Sequence, residues 1–347
     1  MKRVITRMSV IASLAAAVAV LGSSASSAAV AGAGKSSSRA AATVTFVEAG
    51  SQDFSSADVL FFVDLMKKNG INVNFQAISD ASSALRTVIS GQSDIFLGSL
   101  PTAINAVANG GAGIKLVAAN DQATDYVLVA QKGVTLQNIA GKTLAIDTAG
   151  SAGHVISKIS LQDAGINPDA PRYVTIGSSS ARLTAILAGR VDIAPLHYPL
   201  ALQALDNPNI TLLLNSAKQI GAYLQSGLIA SDNFLKDKAL AQKVVNAFIN
   251  AERWANRAKF GYLAYAQSKK LDIGLTGAQQ SKVWDFYRDT KFFGINGGVC
   301  SKYINQFIQL NNTVGTLPNP MPPLSSWLDS SFAKVYLKAH KQKTTTC

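Results

Sequence analysis

The chain has 347 residues, of which 48% are apolar and 15% are charged. This composition allows one large or two ordinary domains with a buried core, and it excludes an intrinsically disordered protein. The formal net charge is +12, but the basic residues are scattered and no basic stripe carries interleaved aromatic residues. The charge therefore argues against a nucleic-acid-binding protein.

Residues 1–31 have the pattern of a secretory signal peptide. The basic start MKRVITR precedes the apolar run MSVIASLAAAVAVLG and a stretch of small residues. The segment Ala29-Val30-Ala31 is a good cleavage site, with Ala28 and Ala33 as alternatives. An uncleaved membrane anchor is the other interpretation, but the run is short for a span of roughly 20 residues. We expect an extracytoplasmic protein, periplasmic or secreted, without a lipoprotein anchor because no cysteine lies at the cleavage site.

Strands and helices alternate after a flexible leader at residues 32–42. In the first half, strands are predicted at 44–50, 71–79, 94–99, 114–120 and 125–131, and helices at 55–70, 82–91 and 101–111. In the second half, strands are predicted at 142–150, 172–177, 191–196 and 223–231, with helices at 153–165, 179–189 and 199–207 between them. Long helical patterns follow at 237–259, 276–290 and 301–312. The alternation predicts parallel sheets covered by helices.

One phrase occurs twice, offset by 98 residues. TVISGQSDIFLGSLP at 87–101 and AILAGRVDIAPLHYP at 185–199 share their glycine, aspartate and proline positions. In each, glycine ends a helix, aspartate lies at the turn into a strand, and proline begins the next helix. Asp94 and Asp192 are interpreted as turn residues that accept backbone N–H bonds, and not as catalysts. We expect the two phrases to form the cores of two opposing lobes.

The segments around these phrases resemble a known family. The resemblance lies in ALRTVISGQSDIFLGSLPTAINAVANGGAGIKLVAA, GKTLAIDTAGSAGHVISKISLQDAGI and SSSARLTAILAGRVDIAPL, and it extends over residues 44–250. The chain is similar to the substrate-binding proteins of nitrate, sulfonate and taurine ABC importers, a family that includes binders of thiamine-pyrimidine precursors. The resemblance implies an α/β periplasmic-binding-protein fold, type II-like, with a ligand cleft between two lobes.

The same resemblance implies the domain organisation. Residues 43–126 would form the first part of lobe 1, residues 127–226 lobe 2, and residues 227–347 the return to lobe 1 with the C-terminal helices. A hinge of two strands would join the lobes, with crossings near 126–131 and 223–230.

The expected site lies beyond the C-terminal ends of the strands, where helix N-termini attract anions. The candidate ligand-binding residues at these turns are Ser51, Phe54, Ser99, Thr102, Asp121, Thr148, Ser151, Ser179, Arg182, His197 and Tyr198. Ser99 and Ser151 would donate hydrogen bonds from opposite lobes, while Tyr198 or Phe54 would stack on a flat ligand. Arg182 would meet a carboxylate or sulfonate. For each serine a plain helix cap is the alternative.

The residues and the resemblance together predict a monomeric solute-binding protein that is not an enzyme. It would capture a small organic anion, sulfonate- or taurine-like, and deliver it to an ABC permease, with no cofactor, metal or nucleic acid. A binder of a pyrimidine or heteroaromatic precursor is the first alternative. An enzyme on the same fold is the second. It would be either a serine hydrolase, because AGSAG around Ser151 nearly matches the nucleophile elbow, or a relative of the pyrimidine synthases that share this fold. A ligand-sensing module for a partner receptor is the third.

The two cysteines, Cys300 and Cys347, are predicted to form a disulfide that ties the C-terminal tail to the body of an exported chain. Two free thiols are the alternative.

Overall fold

The structure is a computed structural model that describes residues 42–50 and 52–342. The predicted signal peptide and most of the leader, Ser51 and Cys347 lie outside the described residues. Within the described part of the chain, no helix combines the length and the apolar character needed to span a membrane.

Strands and helices alternate in the first third of the chain, as predicted. The elements are β1 (Thr43–Ala49), α1 (Ala57–Lys68), β2 (Asn72–Ile78), α2 (Ala81–Ile89), β3 (Ile95–Ser99), α3 (Leu100–Gly110) and β4 (Ile114–Ala119). Local signals set these boundaries. For example, the Asp80 carboxylate accepts the Ser83 N–H at 2.7 Å to begin α2, and Gly91 follows its end with a φ of 77°.

The middle of the chain repeats this alternation. Its elements are β5 (Tyr126–Gln131), β6 (Thr143–Ile146), α4 (Ala152–Asp163), β7 (Arg172–Thr175), α5 (Ser179–Leu187), β8 (Ile193–His197), α6 (Tyr198–Leu205), β9 (Ile210–Asn215) and α7 (Ser216–Ile220). Strand β9 and helix α7 have no counterpart in the sequence prediction.

The last third is one strand followed by helices. Its elements are β10 (Ser226–Ser231), α8 (Lys238–Arg257), α9 (Lys259–Ser268), α10 (Gly277–Asp289), α11 (Ser301–Thr313), α12 (Leu324–Trp327) and α13 (Ser331–Ala339). Helix α8 packs back on the first part of the chain, where Phe248 contacts Phe62 and Phe62 contacts Phe46, with ring centroids 5.3 and 5.4 Å apart.

Two five-stranded sheets define two lobes. Lobe 1 has the strand order β2-β1-β3-β10-β4, and lobe 2 has the order β7-β6-β8-β5-β9. The prediction of purely parallel sheets was wrong. Strand β10 is antiparallel to β3 and β4, and β5 is antiparallel to β8 and β9. Each sheet is mixed because β5 and β10 enter their sheets directly from the crossings between the lobes.

The repeated phrase has the predicted arrangement. Strand β3 lies in lobe 1 and β8 in lobe 2, so the two copies occupy opposing lobes. The Asp94 carboxylate accepts the Thr45 N–H at 2.8 Å, and the Asp192 carboxylate accepts the Thr143 N–H at 2.7 Å. Each aspartate therefore ties its turn to the neighbouring parallel strand, β1 or β6, and the interpretation of both as structural acceptors is confirmed.

The chain crosses between the lobes at residues 120–125 and 221–225. The two segments run antiparallel beside each other, with a bridge between Ala123 and Ala222 and a hydrogen bond from the Tyr223 N–H to the Gln122 carbonyl at 2.9 Å. The family resemblance implied crossings near 126–131 and 223–230. The first range is β5 and most of the second is β10, which are inner strands of the sheets. The crossings lie immediately before them.

A third segment packs against the first crossing. In the loop between α10 and α11, the Gly294 N–H donates to the Asn120 carbonyl at 2.9 Å. A Cβ at Gly294 would lie 2.1 Å from the Ala119 carbonyl oxygen, so only glycine allows this approach. The C-terminal helices thus contact the crossing that joins the lobes.

Candidate functional site

A cavity lies between the lobes at the C-terminal ends of their strands. Its lobe 1 wall includes the ends of β1 and β3, and its lobe 2 wall includes the starts of α4 and α5. The cavity offers about 110 Å³ to the centre of a water-sized sphere, which is room for several waters or one small ligand. This is the position that the sequence predicted for a ligand site.

Lobe 1 contributes a carboxyl group without a cationic partner. Glu48, at the end of β1, is 8% exposed, and its Oε1 accepts the Ser56 hydroxyl at 3.1 Å. Burial raises the pKa of Glu48 to about 8, a shift that the Ser56 hydrogen bond opposes and that the charges of Asp58 and Asp53 reinforce. With this pKa, Glu48 is mainly a neutral acid at neutral pH.

Lobe 2 contributes a buried guanidinium. Arg182 is 1% exposed; its Nε donates to the Pro195 carbonyl at 2.9 Å and its Nη1 donates to the Gly177 carbonyl. These bonds fix the side chain within the cavity wall. Burial raises the pKa of Asp147, at the end of β6, although the positive charge of Arg182 opposes that shift.

A histidine–aspartate pair joins lobe 2 to the first crossing. His197 Nδ1 lies 2.8 Å from Asp125 Oδ1, and the His197 ring stacks on Tyr126 with centroids 4.4 Å apart. Burial alone would raise the pKa of Asp125, but the charge of His197 and hydrogen bonds from His197, Gln225 and Tyr287 lower it. Burial alone would lower the pKa of His197, but Asp125 raises it. The two groups therefore favour the ion pair.

Asp121 holds the two crossings together. It is fully buried; its Oδ1 accepts the N–H groups of Gln225 and Ser226 at 2.6 and 2.9 Å, and its Oδ2 lies 2.6 Å from the Ser226 hydroxyl. Burial raises the pKa of Asp121 to about 8 despite these hydrogen bonds. Although Asp121 lines the cavity, its carboxyl group is largely engaged by the second crossing.

The lobes contact each other directly around the cavity, so the structure is a closed arrangement. The Ser99 hydroxyl accepts the Ala152 N–H at the start of α4 at 3.0 Å. The hydroxyls of Ser82 and Thr148 are 3.2 Å apart. Ser99 also accepts the Thr102 hydroxyl at 2.8 Å within its own lobe, so one oxygen serves both α3 and α4.

Replacing Ser99 by alanine should destabilise this closed form. The substitution leaves the buried Ala152 N–H without its acceptor and removes the cap of α3, so we expect a loss of about 1–2 kcal/mol in the free energy of unfolding. Urea titration measures this loss in the free energy of unfolding. Ser90→Ala is the matched control, because that exposed hydroxyl donates only to the Thr87 carbonyl at 3.1 Å. Equal effects of the two substitutions would contradict the interlobe role.

The structure brings five of the predicted site residues to the cavity wall. These residues are Ser99, Asp121, Ser179, Arg182 and His197. Ser179 also has a structural bond, because its hydroxyl accepts the His197 N–H at 3.1 Å. Their roles as ligand contacts remain predictions.

The predicted aromatic stacking residues lie away from the cavity. Phe54 is fully buried against Tyr262, with ring centroids 5.5 Å apart, and Tyr198 stacks on Phe286 of α10 at 4.0 Å. Both rings already have protein partners, so neither is presented to a ligand in this arrangement.

Three predicted hydroxyls also lie outside the lining of the cavity. Thr102 donates to Ser99, Thr148 meets Ser82 of lobe 1, and Ser151 is 1% exposed at the start of α4, where its oxygen lies 3.5 Å from the Thr148 nitrogen. These hydroxyls serve caps and interlobe contacts. Ser51 lies outside the described residues.

Several lining residues were missed by sequence reasoning. Glu48 and Asp147 each follow a buried strand segment, which is the signal that selects the site in open α/β sheets. Asp125, Tyr126 and Gln225 lie at the crossings, and no local pattern shows that they face the cavity.

Cys300 begins α11 and is 9% exposed. Because Cys347 lies outside the described residues, the disulfide remains a prediction.

Part of the chain matches a model of a known protein family. A model of NMT1/THI5-like proteins matches residues 65–257. The chain belongs to the NMT1/THI5-like family. This assignment agrees with the resemblance that the repeated segments carry, and the match spans both crossings and all of α8. No curated protein matches the chain.

Solved structures of other members of the fold superimpose over most of the chain. The ligand-binding component of an ABC-type import system from Staphylococcus aureus, with zinc bound, has a TM-score of 0.69 at 13% identity and covers 84% of this chain and 98% of that one. The alkanesulfonate-binding protein SsuA from Xanthomonas axonopodis pv. citri, bound to MOPS, has a TM-score of 0.66 at 16% identity, with 83% and 99% covered. The periplasmic nitrate-binding protein NrtA from Synechocystis PCC 6803 has a TM-score of 0.69 at 11% identity, with 86% and 89% covered. The predicted two-lobed periplasmic-binding-protein fold is confirmed.

Proposed function

We propose that this NMT1/THI5-like protein is an extracytoplasmic solute-binding protein that captures a small organic anion of the sulfonate or taurine type and delivers it to an ABC permease. The observation that carries the proposal is the closed cavity between the lobes, where α4 and α5 begin and Arg182 lies in the wall. Helix N-termini and a guanidinium favour an anionic group.

The location and the partner rest on the relatives and on the leader. The structural neighbours are binding components of import systems, one of which binds alkanesulfonates and another nitrate. A secretory leader fits that location, and a single closed cleft fits a monomer that presents its closed form to a permease. Ligand binding would stabilise the closed arrangement and so select the form that docks.

The serine hydrolase alternative has little support from the geometry. Among the described residues, no hydrogen bond joins the Ser151 hydroxyl to a histidine. His154 Nδ1 instead accepts the Gly150 N–H at 3.0 Å, and burial lowers the pKa of His154 to about 4. A base engaged in this way does not activate Ser151.

The pyrimidine alternative keeps one specific observation in its favour. The carboxyl groups of Glu48 and Asp147 both line the cavity, and an aminopyrimidine offers N–H donors to them. It stands as the second candidate ligand class.

A melting-temperature screen of the mature chain tests the proposal. The panel contains taurine, alkylsulfonates, small carboxylates, nitrate and pyrimidines. A ligand at about a thousand times its dissociation constant adds about 4 kcal/mol of stability, which raises the melting temperature of a chain of this size by several degrees. We expect the largest shift from a sulfonate. A shift from pyrimidines alone would replace the proposed ligand class by the second candidate, and no shift from any compound would contradict both.

A further inference from the structure

The cavity wall contains acceptor oxygens that no protein group satisfies. Among the described residues, the buried atoms Glu48 Oε2, Asp147 Oδ1 and Asn120 Oδ1 have no hydrogen-bond partner, and all three residues line the cavity. Glu48 and Asn120 are each 8% exposed. An asparagine amide can turn to present its nitrogen instead, so the two carboxyl groups carry the inference.

Among the described residues, all the buried side-chain polar atoms of the cavity wall that lack a partner are oxygen atoms. In the part of the chain that the structure describes, no buried unpartnered nitrogen donor lines the cavity, and neither Glu48 nor Asp147 forms an ion pair. Burial raises the pKa of both carboxyl groups, because no cationic partner compensates their charged forms. A ligand that offers only oxygen acceptors, such as nitrate or a plain alkylsulfonate, leaves both buried carboxyl groups without a positively charged partner. A cationic N–H donor would instead stabilise them as carboxylates and satisfy their free oxygens.

The two carboxyl groups come from opposite lobes. Glu48 ends β1 in lobe 1, and Asp147 follows β6 in lobe 2, where its Oδ2 accepts the Ala81 N–H across the cleft at 3.4 Å. A ligand that donates to both carboxyl groups would connect the two lobes and would therefore favour closure. The Arg182 guanidinium and the start of α5 also line the cavity and would meet an acidic group of the same ligand.

We propose that the ligand carries a nitrogen group rich in N–H donors, an ammonium or an amino-substituted ring, and that Glu48 and Asp147 are the residues that select it. The proposal rests on the proposed function, since it concerns the same cavity, and it narrows the ligand class from organic anions in general to those that also bear an amino group.

Matched pairs of compounds test the proposal by titration calorimetry. Taurine is compared with ethanesulfonate and isethionate, which keep the sulfonate and lack the amine, and aminopyrimidine is compared with pyrimidine. Because hydrogen bonds to charged groups are strong, we expect the amino compound of at least one set to bind at least about tenfold more tightly than its matched partner.

Variants test whether Glu48 and Asp147 cause the preference for the amino compound. Glu48→Gln and Asp147→Asn keep the shape of each side chain, and either should remove most of the preference for the amino compound. The melting temperature of each variant reports folding independently, and the second variant carries the test if the first does not fold. Asp163→Asn, at the exposed end of α4, is the control and should leave the preference unchanged.

The outcomes separate this proposal from the proposed function. Equal affinity for taurine and ethanesulfonate, without preference for aminopyrimidine, would overturn the amino-group proposal and leave the organic-anion function standing. Binding of aminopyrimidine without any sulfonate would support the amino group and overturn the organic anion. Failure of all five compounds to bind at millimolar concentration would overturn both. A preference that both variants retain would overturn the assignment to Glu48 and Asp147.

Discussion

Replacing Asp121 by alanine should lower the free energy of unfolding by about 3 kcal/mol. Asp121 is fully buried and accepts the backbone N–H groups of Gln225 and Ser226. The alanine variant leaves both donors buried without an acceptor at the point where the two crossings meet. Urea unfolding of the mature chain measures the loss.

Asp121→Asn is the matched control for this prediction. Its amide oxygen can accept the same two N–H groups, and its NH₂ can donate to the Ser226 hydroxyl, as the protonated acid does. Because burial raises the pKa of Asp121 to about 8, the amide resembles the form that predominates at neutral pH. The asparagine variant should retain most of the stability. An asparagine variant as unstable as the alanine variant would indicate instead that a carboxylate charge is required there.

Stability should be greatest at mildly acidic pH and should fall as the pH rises to about 9. Burial raises the pKa of Glu48 and of Asp121 to about 8 and that of Asp58 to about 6. Burial and the adjoining Asp58 also raise the pKa of Glu252. The folded chain therefore binds more protons than the unfolded chain between about pH 4 and pH 8. The stability linked to these protons is fully present below about pH 4 and is lost as the pH passes through about 8.

The pair of His197 and Asp125 determines how stability changes with pH on the acidic side of this maximum. The pKa of Asp125 is lowered, so its contribution is present above its unfolded value, near 4, and is lost as the pH falls below that value. The pKa of His197 is raised, so its contribution is present below about 6.5 and is lost as the pH rises through the folded value. Both directions agree with a maximum between these limits.

Melting curves from about pH 5 to pH 9 measure this effect. One pKa unit corresponds to about 1.4 kcal/mol, and the pKa values of Glu48 and Asp121 lie about three units above pH 5. These two acids together therefore supply on the order of 8 kcal/mol, or roughly 15 °C in melting temperature. Glu48→Gln, which copies the neutral acid, should flatten the profile. A melting temperature that stays constant or rises over this range would contradict the assignment of Glu48 and Asp121 as neutral groups.

Much of the fold could be predicted because its signals are local. Glycines end the helices, apolar runs mark the buried strands, and the repeated phrase identifies two lobes. Strand β9 was missed because it is an edge strand whose Leu212 is 53% exposed, so no alternation marks it. Helix α9 was missed because it contains Gly261 and its Phe260 is 83% exposed, which blurs the apolar face.

The site was predictable in position but only partly in composition. The rule for strand ends located Ser99, Ser179 and Arg182, because these residues follow strands along the chain. Glu48 and Asp147 were missed because the prediction favoured hydroxyl side chains, although both residues lie at the same kind of strand end. Residues of the crossings could not be found, since their approach to the cavity depends on pairing between segments about one hundred residues apart.

The central claim is that a small ligand binds between the lobes with its amino group at Glu48 and Asp147. The most direct test is a crystal structure of the mature chain grown with the panel compound that raises the melting temperature most. The account predicts the compound in the cavity, with a nitrogen within hydrogen-bond distance of one of these carboxyl groups and its acidic group near Arg182 and the starts of α4 and α5. A compound bound outside this cavity, or bound within it with only its acidic group facing Glu48 and Asp147, would contradict the account.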